Sequence, residues 1–491
     1  MSGRKNGITG FGGYIPCRRL SRKAIADANS WFQPALKGKA RGERSMAGWD
    51  EDSLTMAVEA ARDCLGDKQN LPETLYFATT SPPFADRLNA GIIAGALNLP
   101  DETQALDVTS SQKAGAAALL TALKSTDAAS LVVASDKRRT RAAADQEMRF
   151  GDGAAALSVG STDVIARLLG FAGSTVDFID HYRGSGEEFD YTWEERWIRD
   201  EGYEKQVPGV IRRALTRAGI EGKDVDRFIL PCPWPRVAGK MAKLSGIDPE
   251  KTAGQLEDVL GDTGTAHPMV MLIHALEEAT PGEKIVMAVF AGGVDVLVFE
   301  TTEALQSYPA RRGVRGSLAG RRPENNYMKY LCFNDLVQLE KGMRAEKDNR
   351  TPLSVTYRKR DMLFGLVGGR CKICQTPQFP RSRKCVNPEC AAVDSQEPME
   401  FADQPARLLS WSADFLTYTP DPPQHYGMVT FDGGGRFMAD ITDVDQGTVD
   451  SGTPVRMVFR IKDFDRRRGF TRYFWKATPI LETETQPAEK A

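Results

Sequence analysis

The chain has only four histidines in 491 residues, so the choice of an imidazole base is narrow. It has no run of about 18 apolar residues, which excludes a membrane-spanning helix. The first residues, MSGRKNGITGFGG, lack the apolar core of a signal peptide, and a cytoplasmic protein is expected. Eight cysteines are too few for a disulfide scaffold, and four of them fall in one short segment. Net charge is also nearly absent, at −2. That balance hides an asymmetry. Residues 1–310 carry −8 and residues 311–491 carry +6. Opposite signs predict that the two parts dock, or that the basic part meets an anionic ligand.

What is present is a long alternation of short apolar strands and Ala-rich helices through the first 300 residues. GITGFGGYIP, TLYFATT, ALDVTSS, SLVVASD, AAALSVG, VDRFILP, KIVMAVF and DVLVFET read as strands. Ser53–Leu65, Gln112–Lys124, Val210–Ala218 and Pro268–Ala279 read as helices, the first with Asp52 as its N-cap. This pattern predicts an α/β layered fold. Arg, Gly and Pro dominate 305–325, which reads as a surface connection followed by a helix near Phe333–Arg344. Five short β-type runs after residue 400 predict a small β-barrel. The final ETETQPAEKA reads as a disordered tail.

The cysteine cluster is Cys371, Cys374, Cys385 and Cys390. Two close pairs separated by a short hairpin suit one tetrahedral Zn²⁺ in a structural site, with no position left open for water. Beside it, Arg460–Lys476 interleaves basic and aromatic residues, as single-strand nucleic-acid binders do. The basic excess is modest and strand packing explains the aromatics, so nucleic acid is not the expected ligand. Coenzyme A phosphates would use the same charges.

Several stretches together carry a resemblance. GITGFGGYIP, WDEDSLTMAVEAARDCL, DVTSSQKAGAAALLTAL and FGDGAAALSVG, with GDTGTAHPMVML and FAGGVDVLVFE later, resemble the thiolase superfamily. The nearest types are hydroxymethylglutaryl-CoA synthases and initiating ketoacyl synthases. The remainder resembles the zinc-ribbon and OB-fold module that accompanies thiolases, usually as a separate subunit. The resemblance implies a thiolase-like five-layer duplicated fold, with halves at 1–165 and 166–305. A linker and docking helix (306–360), a zinc ribbon (361–400), an OB-fold barrel (401–480) and a tail (481–491) would follow. It also implies a homodimer, a coenzyme A thioester as substrate and a separate thiolase as partner.

The chain departs from that family where its chemistry is done. The nucleophilic cysteine position is Gln112, which cannot form an acyl-enzyme. The turn that holds a general-acid glutamate reads Ala78-Thr79-Thr80-Ser81. The expected second-half histidine is Pro231 or Cys232, and the asparagine is Asp262. What survives is the prospect of fixed donors for a thioester oxygen. These are the N–H groups at the Gln112 helix start and the Gly292–Gly293 turn, worth about 3–4 kcal/mol per donor. An aldol or retro-aldol cleavage of a β-hydroxyacyl-CoA needs such a site and one base, but no acyl-cysteine.

The base is expected to be His267, with Asp262 five residues before it. An N-cap or packing role remains open for His267. His181, in a polar and aromatic insertion, lines a pocket or caps a surface. His274 reads as core, and His425 shows no role. Thr80, Ser111, Lys113, Cys232, Arg236 and Lys240 are candidates for substrate and coenzyme A binding, with Arg138, Arg139 and Lys243 nearby in the chain. Two rivals stand beside the lyase. One is a non-catalytic acyl-CoA scaffold. The other is an acyltransferase with a displaced nucleophile, such as Ser110, Ser111 or Cys232.

Overall fold

In the computed structural model the described residues are 6–66, 71–125, 129–309, 311–346, 350, 352–445 and 447–480. The tail reading at 481–491 lies outside them. Nine strands form the main sheet: β1 (Gly7–Tyr14), β2 (Thr74–Ala78), β3 (Gln104–Val108), β4 (Ser130–Asp136), β5 (Gly153–Gly160), β6 (Ala166–Thr175), β7 (Arg227–Ile229), β8 (Lys284–Phe290) and β9 (Gly293–Thr301). Their order is β7-β8-β9-β6-β1-β5-β4-β2-β3.

The halves repeat. In the first, β2 runs parallel to β3 and β4, β4 is antiparallel to β5, and β5 to β1. In the second, β7 runs parallel to β8, β8 is antiparallel to β9, and β9 to β6. A single parallel bridge, Phe228 to Thr252, stands where the second half repeats β3. The halves join through two residue pairs of β1 and β6.

Four helices fix the layers: α1 (Ser53–Leu65), α2 (Ala114–Lys124), α3 (Lys205–Ala218) and α4 (His267–Leu276). The residues of α2 are small, so strands and the α4 helix pack close around it. Ala114, Ala116, Leu119, Met269 and Ile273 share one core with strand residues of both halves. On one outer side, α1 and the helix Asn89–Ala96 cover the first-half strands. On the other, α3 and the helix Pro235–Leu244 cover the second-half strands. Helix, sheet, helix, sheet, helix gives the five layers expected. Asp52 caps α1 as its type predicts, its carboxylate accepting from the Thr55 N–H at 2.8 Å.

One helix falls elsewhere than expected. It spans Tyr327–Phe333, and only a short 3₁₀ turn, Met343–Ala345, lies in the 333–344 stretch. The Asn326 side chain accepts from the Lys329 N–H at 3.0 Å and so starts the helix early.

A three-stranded sheet of Val367–Cys371, Pro377–Gln378 and Gln396–Glu400 carries the cysteine cluster. Five strands then close a barrel in the order Ala406–Asp414, Gln424–Phe431, Arg436–Ile441, Phe470–Pro479, Pro454–Asp465. The barrel core is continuous with the α1 layer: Leu54, Val58, Phe77, Phe459 and Trp475 belong to one buried cluster.

The charge asymmetry is spent at this junction. Acids of the first half, Asp50, Glu51, Asp52 and Glu59, meet barrel residues. Lys476 pairs with Asp50 at 2.8 Å, Arg460 with Glu51 at 3.1 Å, and Arg456 with Glu59 at 3.0 Å. Arg62 holds Glu59 from its own helix at 2.9 Å, and Tyr473 donates to Asp52 at 2.7 Å. Arg460 and Lys476 are therefore domain ties, not nucleic-acid or phosphate contacts. Among the described residues no helix is long and apolar enough to cross a membrane.

Candidate functional site

A cavity of about 400 Å³ opens where the two halves meet. Its walls come from the carboxyl ends of strands and the loops after them, where open α/β sheets put ligands. Gln112 comes from the turn between β3 and α2. Pro231, Cys232 and Trp234 follow β7, Val289 and Phe290 end β8, and Asp262 and His267 lead into α4. The halves contribute equivalent positions: Gln112 precedes the central helix of the first, and His267 begins that of the second.

The β3–α2 turn is tight. Ser110 adopts φ +71°, a left-handed conformation that costs a non-glycine residue about 1–2 kcal/mol. That turn sets Gln112 into the cavity. Opposite it, the Phe150–Gly153 turn and the Gly261–Asp262 turn lie back to back. Gly151 donates to the Asp262 carbonyl at 2.9 Å, and a Cβ on Gly151 would lie 1.9 Å from the Leu260 oxygen. Only glycine fits there.

Two histidines line the cavity, in contrasting states. His181, from the insertion between β6 and α3, places Nε2 2.8 Å from the Gln112 side-chain nitrogen. Its Nδ1 lies 3.0 Å from the Asp180 carboxylate. Burial disfavours the imidazolium, but the Asp180 carboxylate outweighs burial and raises the ring above its ordinary value. His267 is sealed. Its Nε2 donates to the Gln255 carbonyl at 3.0 Å, and its Nδ1 accepts from the Thr263 N–H at 3.3 Å. Burial lowers it, so it stays neutral with both ring nitrogens used.

The expected Asp262–His267 hydrogen-bonded couple is therefore not formed. Asp262 turns instead to Arg138, 2.9 Å away. Burial alone would raise the Asp262 carboxyl, but the Arg138 guanidinium holds it down to about 2. Sequence spacing could not find this pairing, because Arg138 lies 124 residues earlier.

Other candidates sort by the cavity wall. Cys232 lines it, but burial pushes its thiol up to about 12. A thiolate is the nucleophilic form, and this one is suppressed. Thr80 donates to Asp136 at 2.9 Å, and Asp136 also accepts from Thr79, Ser81 and the Thr265 N–H. Thr80 is thus part of a hydrogen-bonded hub around the buried Asp136. Lys113 pairs with Asp295 at 3.4 Å, Lys240 with Glu204 at 2.5 Å, and Arg236 is exposed on the outer helix. Neither these three nor Ser111 line the cavity: Arg236 and Lys240 lie on an outer-layer helix, and Lys113 turns to Asp295 at the start of α2.

The helix-start donors are also taken. Lys113 N–H goes to the Ser111 hydroxyl at 3.3 Å, Ala114 N–H to the Ser111 carbonyl at 3.0 Å, and Gly115 N–H to the Thr265 hydroxyl at 2.9 Å. The Gln112 amide remains. Gly292 and Gly293 form the β8–β9 hairpin turn with φ of +60° and +112°, just beyond the lining residue Phe290.

Further residues complete the wall, Glu257, Ile198, Tyr203 and Trp234 among them without a sequence signal. Glu257 lines it, raised by burial to about 7. A π-helical segment before α3 (Ile198–Glu204) re-aims Ile198 and Tyr203 into the space. Arg138 is buried with Nε and Nη1 unpartnered, and the buried Trp234 indole N–H also lacks an acceptor. The only signal for His181 was its neighbour Asp180 in an insertion.

Away from the cavity, the four thiols converge. Their sulfurs lie within 4.8 Å of one another, with Cys371–Cys390 at 3.9 Å and Cys374–Cys385 at 3.5 Å. A tetrahedral site with metal–sulfur bonds of about 2.3 Å has sulfurs about 3.8 Å apart, so the cluster fits such a metal.

Two family models match. One describes the C-terminal part of 3-oxoacyl-[acyl-carrier-protein] synthase III and covers residues 215–298. The other describes the C-terminal OB-fold domain of ChsH2 and covers residues 401–460. The chain is 28% identical over 356 residues to a hydroxymethylglutaryl-CoA synthase of Caldivirga maquilingensis, across 68% of this chain and 99% of that one. It is 28% identical over 340 residues to the one from Methanothermobacter thermautotrophicus, across 67% and 96%. Among solved structures, a hydroxymethylglutaryl-CoA synthase complexed with coenzyme A superposes with TM-score 0.60 and 20% identity, across 70% of this chain and 95% of that one. The synthase III of Aquifex aeolicus gives 0.52 and 21%, across 60% and 99%. The first part of the chain thus has the thiolase-like fold and is similar to hydroxymethylglutaryl-CoA synthases. An OB-fold barrel is fused after it.

Proposed function

We propose that the protein is an acyl-CoA enzyme that makes or breaks a C–C bond beside the thioester without forming an acyl-cysteine. Retro-aldol cleavage of a β-hydroxyacyl-CoA is the direction we favour. The observation that carries it is the line Gln112, His181, Asp180 in a cavity whose lining thiol is held protonated. His181 Nε2, whose lone pair accepts from the Gln112 amide at rest, takes the proton of the β-hydroxyl once the substrate draws that amide onto the thioester oxygen, and its Asp180 neighbour stabilises the imidazolium. The C–C bond breaks, its electrons pass to the thioester as an enolate, and a ketone or aldehyde leaves. The Gln112 side-chain N–H faces the enolate oxygen. The imidazolium then returns its proton to the α-carbon, so the enzyme ends as it began.

Incubation with candidate β-hydroxyacyl-CoAs tests this. Release of a free carbonyl product, lost in His181→Ala, supports it. No cleavage of any such ester sinks it in favour of a non-catalytic scaffold.

The similarity to hydroxymethylglutaryl-CoA synthases favours a second reading, an acyltransferase with a displaced nucleophile. Intact mass after exposure to acetyl-CoA separates the two. A covalent acyl adduct supports the second and ends the first.

Three further assignments belong to this reading. Zn²⁺ fills the four-cysteine cluster and holds the ribbon together. A homodimer forms through β3, an edge strand with Leu106 exposed. A separate thiolase supplies or removes the acyl-CoA in the cytoplasm, tested by co-purification.

A further inference from the structure

We infer that the groove between the segment 353–363 and the cysteine-bearing sheet binds an adenine nucleotide. The groove holds about 560 Å³ and is separate from the cavity above. Its floor carries Gln396, only 6% exposed, whose side-chain Nε2 and Oε1 both lack a hydrogen-bond partner. An amide buried with both ends unmet is costly unless something else meets it. A carboxamide offers one donor and one acceptor side by side, the arrangement that matches N7 and N6 of adenine.

Charge around the amide points the same way. Arg381 donates to the Gln396 backbone carbonyl at 2.9 Å and so stands beside it. Arg358 and Lys359 line the same groove, with no carboxylate partner among the described residues. The two acids on the wall are already engaged. Asp394 pairs with Arg383 at 2.8 Å, and Asp361 with Arg360 at 3.3 Å. Met362, Val367 and Pro398 supply an apolar surface for a base. Cations for phosphate, an apolar face for the ring and an amide for its edge make one ligand class. It can come from the nucleotide end of coenzyme A or from a free adenine nucleotide.

Calorimetric titration of the full chain tests the groove, using adenosine 3′,5′-bisphosphate, AMP, GMP, inorganic phosphate and a short single-stranded RNA. The expected result is binding of the adenine nucleotides over GMP. Gln396→Leu should remove that preference, about 5–100-fold for a bidentate base contact. A double Arg358→Ser, Lys359→Ser variant on the exposed helix should weaken both and lessen the salt dependence, which keeps the test open if Gln396→Leu fails to fold. Preference for the 3′-phosphate identifies coenzyme A as the source, and equal binding identifies a free nucleotide. GMP binding as tightly, phosphate competing as well, RNA binding more tightly than any mononucleotide, or affinities unchanged in the double variant would each overturn the proposal.

Discussion

Two regions of this molecule bury charge, and they do it differently. At the barrel junction each buried cation has a carboxylate. Arg460 reaches Glu51 and Asp443, Lys476 reaches Asp50, and Glu59 sits between Arg62 and Arg456. In the cavity the set is unfinished. Arg138 has Asp262 but keeps two nitrogens unpartnered, Trp234 keeps its N–H, and Glu257 is a carboxyl raised to about 7. A set in which every cation meets a carboxylate, Arg460 leaving only its Nε unpartnered, fixes how two domains sit. An unfinished one, in a space large enough for an acyl group, holds donors ready for atoms the chain itself does not supply.

The contrast can be broken from the cavity side first. His181→Ala should lower turnover by about 10²–10⁴ with little change in melting temperature, as removal of a general base does. An equal loss in His267→Ala with stability intact would reverse the two roles. On the junction side, Glu59→Ala leaves Arg62 and Arg456 facing a vacant site. Because Arg62 keeps Asp403, it should cost less in chemical denaturation than the roughly 3–5 kcal/mol of a fully orphaned buried charge, while a variant that still folds keeps its cavity chemistry.

Acid should distinguish the regions next. Burial would raise Glu59, but Arg62 and Arg456 hold it at about 2, below its ordinary value. Its contribution is whole above pH 4.5 and is lost as pH falls toward 2. Denaturation midpoints measured across that range should fall in the wild type and fall less in Glu59→Gln.

The rate should respond at higher pH. His181 must be neutral to accept a proton and its value is raised, so kcat/KM should climb along a limb above pH 6.5. That limb should be absent in a His181→Gln variant that retains residual activity. The smallest effect is expected at Cys232. Replacing this suppressed thiol by alanine should leave turnover within about threefold. A collapse of activity, with the fold preserved by circular dichroism, would favour the acyltransferase reading instead.

Much of the frame was legible because its causes are local. Short apolar runs alternating with Ala-rich stretches announced the layers, and Asp52 before α1 acted as its type predicts. The cysteine spacing announced four converging thiols. The excess of acid before residue 310 and of base after it announced a docking surface, which Asp50, Glu51, Glu59, Arg456, Arg460 and Lys476 supply. The site was less legible. His267 had an acid nearby in sequence and a helix start beneath it, but its ring meets Gln255 and Thr263 instead of Asp262. His181 read equally as a pocket wall or a surface cap, and it lines the cavity.

The sequence by itself determined the layered α/β frame, the metal-type cysteine set and a non-nucleophilic residue at position 112. Each depends on residue type and short spacing. Tertiary structure alone decided which imidazole faces Gln112, which acid Arg138 holds and which polar atoms stay unmet. Contacts across the fold decide these pairings: Gln112 lies 69 residues from His181 and Asp262 lies 124 residues from Arg138 along the chain, beyond the reach of short spacing.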